Sequence, residues 1–154
     1  MAQQHTFQGE LQWTGQASAD PQGKLKLERS FTVRFAGKAA IEGSSPAVFN
    51  GDDGRHNPET LMVSSIMACH HLTYLAVCER SGVKVLEYRD SATGTLAIRD
   101  GKMRMTGIVL APQVRIADAA QIDLARELHA KAHANCFMSN SVNFEVTVEP
   151  AVTA

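Results

Sequence analysis

At 154 residues and a net charge of -1, the chain is sized for one domain, residues 1–154, with a core of its own. It carries no charge excess that would draw it to nucleic acid or an anionic membrane. No apolar run approaches the roughly 20 residues that a membrane span requires. The polar, alternating N-terminus lacks the basic start and apolar middle of a secretion signal, so the expected compartment is the cytoplasm. There, three cysteines (69, 78 and 136) are poor material for a structural disulfide framework. A cytosolic disulfide is usually transient and catalytic.

Residues 5–13 alternate through Phe7, Gly9, Leu11 and Trp13 and predict a strand. Gly15 to Lys24 is polar, contains Asp20-Pro21 and reads as a loop. A second strand is expected around Phe31, Val33 and Phe35, with Gly37-Lys38 as a turn into residues 39–42. Residues 43–56 form a long irregular stretch rich in Gly, Ser and Asp, the kind of loop that often serves function or an interface.

Asn57-Pro58-Glu59 predicts a helix start: Asn57 can cap, proline suits the first helical position, and Glu59 meets the positive end of the dipole. The helix should run to Ser81 and stop at Gly82. Its residues are apolar most of the way round, which predicts burial on nearly every face. A strand at 83–89 and a hairpin follow, with residues 95–99 and 102–110 joined by Asp100-Gly101. Asp118 with Gln121 resembles a capping box that opens a second helix to about Ala134. Its apolar stripe is Ile122, Ala125, Leu128, His129, Ala132 and His133. A last strand at 141–149 would set Val142, Phe144, Val146 and Val148 on one face. Strands and helices in this order define an α+β fold.

A lone buried cysteine is usually a small hydrophobe, and Cys78 fits that reading. It lies about 180° round the helix from Cys69, so the two cannot bridge. Cys69, inside Met67-Ala68-Cys69-His70-His71, and Cys136, one turn after His133, have chemical company. A thiol near its reference pKa of about 8.5 is mostly protonated at neutral pH, so a reactive one needs a cation nearby. Arg29, Arg34, His70, His71 and His133 are the candidates. His70 and His71 read foremost as packed or interface residues.

Three segments together are similar to the family of osmotically inducible protein C and organic hydroperoxide resistance proteins. They are Asn57-Pro58-Glu59 followed by Ala68-Cys69; Ala132-His133-Ala134-Asn135-Cys136 followed by Ser139-Asn140-Ser141-Val142; and Trp13-Thr14-Gly15 with Val83-Lys84-Val85. His70-His71 after the first cysteine and Phe137 after the second resemble the OsmC-like branch rather than the hydroperoxide resistance proteins proper.

The resemblance implies antiparallel sheets wrapped around two central helices in an intertwined homodimer. It also implies thiol-dependent reduction of organic hydroperoxides without metal, haem or flavin. Carried over by position, Cys69 is peroxidatic and Cys136 resolving, linked through a sulfenic acid and then a disulfide. Glu59 would hold a catalytic arginine, best matched by Arg29 with Arg34 as runner-up. The reductant is a dithiol, typically on a lipoylated protein. Glu59 and Cys69 are about ten helical positions, or about 15 Å, apart. Glu59 can therefore serve Cys69 only across a broken helix or from the other subunit.

Two other classes compete: a non-catalytic dimer of the same fold, and a metal-binding protein using Cys69, His70, His71, His133 and Cys136. Adjacent His70 and His71 point about 100° apart on a helix, which is awkward for a shared ion.

Overall fold

The computed structural model describes residues 4–154. Although the sequence shows no linker, the chain divides into two compact units, residues 1–61 and 62–154.

Among its described residues the first unit holds five short strands: β1 (Gly9–Trp13), β2 (Ala17–Ala19), β3 (Leu25–Leu27), β4 (Phe31–Phe35) and β5 (Ile41–Gly43). β4 pairs antiparallel with β1 on one side and β5 on the other, while β2 and β3 form a hairpin. That hairpin begins inside the segment expected to be a loop. Its turn is closed by Asp20, whose carboxylate accepts from the Gln22 and Lys24 amides at 3.0 and 2.8 Å. Such local closure by aspartate needs no hydrophobic alternation, so periodicity does not reveal it. Gly43 is required where it stands: a Cβ there would lie 2.2 Å from the Phe31 ring.

α1 (Pro58–Arg80) runs without a break. Its start is a reciprocal cap in which the Thr60 amide donates to Asn57 Oδ1 at 2.8 Å and the Asn57 amide donates to Thr60 Oγ1 at 3.1 Å. Gly82 ends it at φ 70°, the left-handed conformation expected of the stop. By length and composition α1 would suffice to cross a membrane, with an 18-residue window of mean hydropathy 1.5. The expectation that no run approaches that length is corrected here.

The second unit is built on β6 (Val85–Arg99) and β7 (Lys102–Ile116), an antiparallel ribbon turning at Asp100-Gly101. The two segments expected at 83–89 and 95–99 are one strand. It stays continuous through a register shift at Thr95/Leu96, so the intervening glycine and threonines bend the ribbon without ending it.

α2 (Ile122–Ala134) follows a turn of 3-10 helix. Asp118 caps that 3-10 turn by accepting from the Ala120 amide at 2.9 Å, whereas Gln121 donates from Nε2 to the Gly82 carbonyl at 3.4 Å. The expected capping box is thus half made. β8 (Glu145–Val148) and β9 (Ala151–Thr153) both pair parallel with β7, so this sheet is mixed where antiparallel sheets were expected. The strand expected at 141–149 is shortened to β8, and β9 is a further strand beyond Pro150, which has no amide to donate and separates the two.

Two clusters form the core of this unit. Ile66 with Ile108, Leu110 and Val146 sits under the first half of α1. Tyr74, Val77 and Cys78 pack with Val114, Ile116, Ala125, Leu128 and Val152 under the second half. Gly94 lets α1 approach β6, since a Cβ there would stand 2.6 Å from Val63 Cγ2. The opposite side of α1 is open: Met62 is 40% and Leu72 64% exposed. Burial on nearly every face is therefore not achieved within one chain.

Candidate functional site

Cys69 sits mid-way along α1, half-buried, at the edge between its packed and open sides. Its neighbour Thr73 folds its hydroxyl back onto the Cys69 carbonyl at 2.8 Å, which leaves the sulfur clear of that bond. Cys136 stands just past the end of α2, where Asn135 caps the helix, and is fully buried. The chain turns sharply here because the Cys136 amide donates to the His133 carbonyl at 3.1 Å and the Asn140 amide to the Cys136 carbonyl at 3.0 Å. Both cysteines are free thiols.

The two thiols are direct neighbours. Burial pushes the Cys136 thiol up and the adjacent Cys69 side chain pushes it further, while Ser139 pulls it down. The Ser139 amide donates to Cys136 Sγ at 3.5 Å. Ser139 Oγ is itself buried and has no partner other than the Cys136 thiol that it borders.

Cys78 lies in the core, in the cluster around Tyr74. Burial raises its thiol, with Tyr74 acting in the opposite sense. This matches its expected place away from Cys69.

The histidines divide by face. His70 and His129 are buried, their Nε2 and Nδ1 3.1 Å apart, and Tyr74 stacks on His129 at 3.8 Å. Burial lowers His70 to about 4, with His133 and His71 adding to the effect, and lowers His129 to about 3. His70 is therefore neutral at physiological pH and supplies no positive charge to a thiolate. One of the five candidate cations is removed.

His71 packs against Tyr88 at 4.4 Å between ring centres. It lines a pocket of about 270 Å³ with Met67, Tyr88 and Asp90. Among the described residues no three His, Cys, Asp or Glu side chains gather so as to hold a metal ion. The Cys/His metal centre therefore finds no support in the geometry.

The remaining site residues belong to the first unit. Glu59 is on the first turn of α1, half-buried, with Oε2 buried and without a hydrogen-bond partner. Arg29 is exposed between β3 and β4, and Arg34 is exposed on β4 opposite Glu10. Among the described residues neither arginine makes an ion pair, with Glu59 or with any other carboxylate. Met67 packs against the core, whereas Leu72 and Phe137 are 64% and 75% exposed.

Two further residues were not singled out as chemical participants. Ser139 stands three positions after Cys136 within a quoted segment, and that spacing around a tight turn is the available signal. His129 reads as part of an apolar stripe, and its pairing with His70 across two helices leaves no local mark.

A half-exposed thiol on a long helix, beside a buried thiol at a helix end, defines a dithiol protein of mixed helix and sheet. The chain matches the family described as OsmC-like protein over residues 51–151, and it belongs to that family. It is 28% identical over 114 residues to the uncharacterized protein YmaD of Bacillus subtilis, covering 71% of this chain and 76% of YmaD. An OsmC-like protein of unknown function from Vibrio cholerae superposes with a TM-score of 0.85 at 28% identity, covering 96% of this chain and all of the other (100%). The organic hydroperoxide resistance protein OhrB of Bacillus subtilis has the same fold, with a TM-score of 0.62 at 19% identity over 92% of this chain and 98% of that one.

Proposed function

We propose that this OsmC-like protein is a cysteine-based peroxidase that reduces organic hydroperoxides. The observation that carries the reading is the adjacency of half-exposed Cys69 to buried Cys136, both as free thiols. The Cys69 thiolate attacks the distal peroxide oxygen, the O–O bond breaks, and the alkoxide leaves and takes a proton to become an alcohol. Cys69 is left as a sulfenic acid. The Cys136 sulfur, deprotonated, then attacks the Cys69 sulfur; hydroxide leaves as water and a Cys69–Cys136 disulfide forms. An external dithiol, of which a lipoylated protein is one source, restores both thiols by exchange.

The cation for Cys69 is assigned to Arg29, with Arg34 as the alternative. A guanidinium beside the sulfur favours the thiolate and stabilises charge on the departing alkoxide. Glu59 would orient that arginine through a two-pronged pair. α1 has no break between Glu59 and Cys69, so a glutamate serving this sulfur belongs to a second subunit. The open side of α1, with Met62 and Leu72 exposed, favours a homodimer, the state typical of the family. A reducing compartment, the cytoplasm, suits a disulfide that is made and broken in each cycle.

The test is hydroperoxide consumption with a dihydrolipoyl donor, comparing cumene hydroperoxide with hydrogen peroxide. Turnover should favour the organic peroxide and be abolished in Cys69→Ser. Turnover retained in that variant would reject the assignment. A protein inert toward both peroxides would be the non-catalytic dimer.

A further inference from the structure

Each cycle must end with reduction of the disulfide, and its two sulfurs are unlike. Cys69 is half-buried at the edge of the open side of α1. Cys136 is 0% exposed, enclosed where the chain turns from α2 into the 3-10 turn at Ser139–Ser141. Thiol–disulfide exchange requires the incoming thiolate to line up behind one sulfur while the other leaves as a thiolate. Access and leaving-group stability together choose the sulfur attacked.

Burial opposes charge on Cys136, and Ser139 is the group that offsets part of that penalty for a departing thiolate. The Ser139 amide already points at Sγ at 3.5 Å. Ser139 Oγ is buried, has no other hydrogen-bond partner and borders the same sulfur. A buried hydroxyl left without a partner has a cost, on the order of 1–3 kcal/mol. An anionic sulfur beside it would satisfy it. The Thr73 hydroxyl, by contrast, donates to the Cys69 carbonyl and not to its sulfur.

We infer that Ser139 is a positioning residue for reduction, making Cys136 the leaving thiolate so that the dithiol reductant attacks only Cys69. This rests on the peroxidase reading above and specifies its last half. A reductant thiolate attacks Cys69 Sγ, the Cys69–Cys136 bond breaks, and the electron pair goes to Cys136 Sγ, held by the Ser139 amide and hydroxyl. Cys69 is left in a mixed disulfide with the reductant. The second thiol of the reductant, deprotonated, attacks its own partner sulfur, closes a cyclic disulfide and frees Cys69 as thiolate. Two electrons pass from dithiol to protein, and the dithiol's two protons end on Cys136, Cys69 or solvent.

The experiment starts from full-length protein oxidised with one equivalent of cumene hydroperoxide. It is exposed briefly to the monothiol 2-mercaptoethanol, which cannot cyclise, quenched with excess N-ethylmaleimide under denaturing acid, and mapped by mass spectrometry. The mercaptoethanol adduct should sit on Cys69 and the maleimide on Cys136. Adducts on Cys136, or an even mixture, would overturn the inference while leaving the peroxidase reading intact. Failure to form any Cys69–Cys136 disulfide would instead remove both.

In a second arm, Ser139→Ala should slow reduction by dihydrolipoamide about tenfold, the scale of a lost hydrogen bond to a charged sulfur. Oxidation of Cys69 should keep its rate, and Ser139→Thr should restore most of the reduction rate. An unchanged reduction rate in Ser139→Ala would also overturn the role. Should that variant fail to fold, adduct mapping on the wild-type chain still decides.

Discussion

His70 Nε2 and His129 Nδ1 stand 3.1 Å apart, with both rings buried and Tyr74 stacked on the second. Only one proton fits between the two nitrogens, so at least one ring must be neutral, and burial disfavours charge on the other.

That requirement sets an acid limit on stability. Both histidines have a reference value of 6.5, and the fold lowers them to about 4 for His70 and about 3 for His129. Between these values the unfolded chain binds more protons than the folded one. Stability is therefore full above pH ~6.5 and declines as pH falls from there through the folded values. The first proton alone should cost on the order of 2 kcal/mol between pH ~6.5 and pH ~5. Urea midpoints at several pH values would measure this. His129→Phe keeps a ring in the stack and removes one titrating group, so its stability should depend less steeply on pH. An identical slope would show that acid acts elsewhere.

Tyr74 offers a separable measure of the same core. Its side chain is completely buried and its hydroxyl donates to the Ala125 carbonyl at 3.0 Å, tying α1 to α2. Tyr74→Phe keeps the ring and removes one hydrogen bond, for an expected loss of about 1 kcal/mol. Tyr74→Ala also opens a cavity and should cost about 3–5 kcal/mol. Chemical denaturation of the two variants gives the comparison, and a neutral Tyr74→Phe would mean that the bond adds nothing net.

The fold was legible in the sequence where the signals are local. Asn57-Pro58, Gly82 and Asp100-Gly101 mark their boundaries through backbone requirements that hold in any surroundings, and all three fall where expected. The α+β class and the family followed from the order of elements and three spaced segments. Pairing direction was not legible. β8 and β9 lie parallel to β7 because α2 carries the chain back across the sheet, and alternation in residues 141–149 is the same for either direction. At the site, the sequence offered five cations for one thiol. It could not show that His70 faces His129 and is kept neutral, because that partner is far along the chain.

Gly82 isolates backbone strain from packing. Its φ is +70°, and a Cβ built on it would meet nothing within 4 Å. Gly82→Ala therefore adds no clash and tests only the left-handed conformation that ends α1. The expected loss is about 1 kcal/mol. Gly94→Ala is its counterpart: φ is not the issue, but the new methyl would press on Val63 and Met105 at 2.6 and 2.8 Å. Overpacking of this kind costs about 1–3 kcal/mol. If thermal melts ranked the two the other way, the close approach of α1 to β6 would be looser than described.

The three thiols make different predictions under oxidation. Cys136 borders Cys69, whereas Cys78 is buried beside Tyr74 on the far side of α1. After one equivalent of an organic hydroperoxide, peptide mapping should find Cys69 joined to Cys136 and Cys78 as free thiol. Cys136→Ser should still oxidise Cys69 once, with the sulfenic acid captured by dimedone, but should not recycle with a dithiol. Cys78→Ala should turn over like the parent while losing about 1 kcal/mol of stability from the small cavity it leaves. The last pairing is the discriminating one. A Cys78 variant that lost turnover at unchanged stability would place the chemistry on the wrong side of the helix, since a buried thiol used only for packing can affect the reaction only by loosening the fold around it.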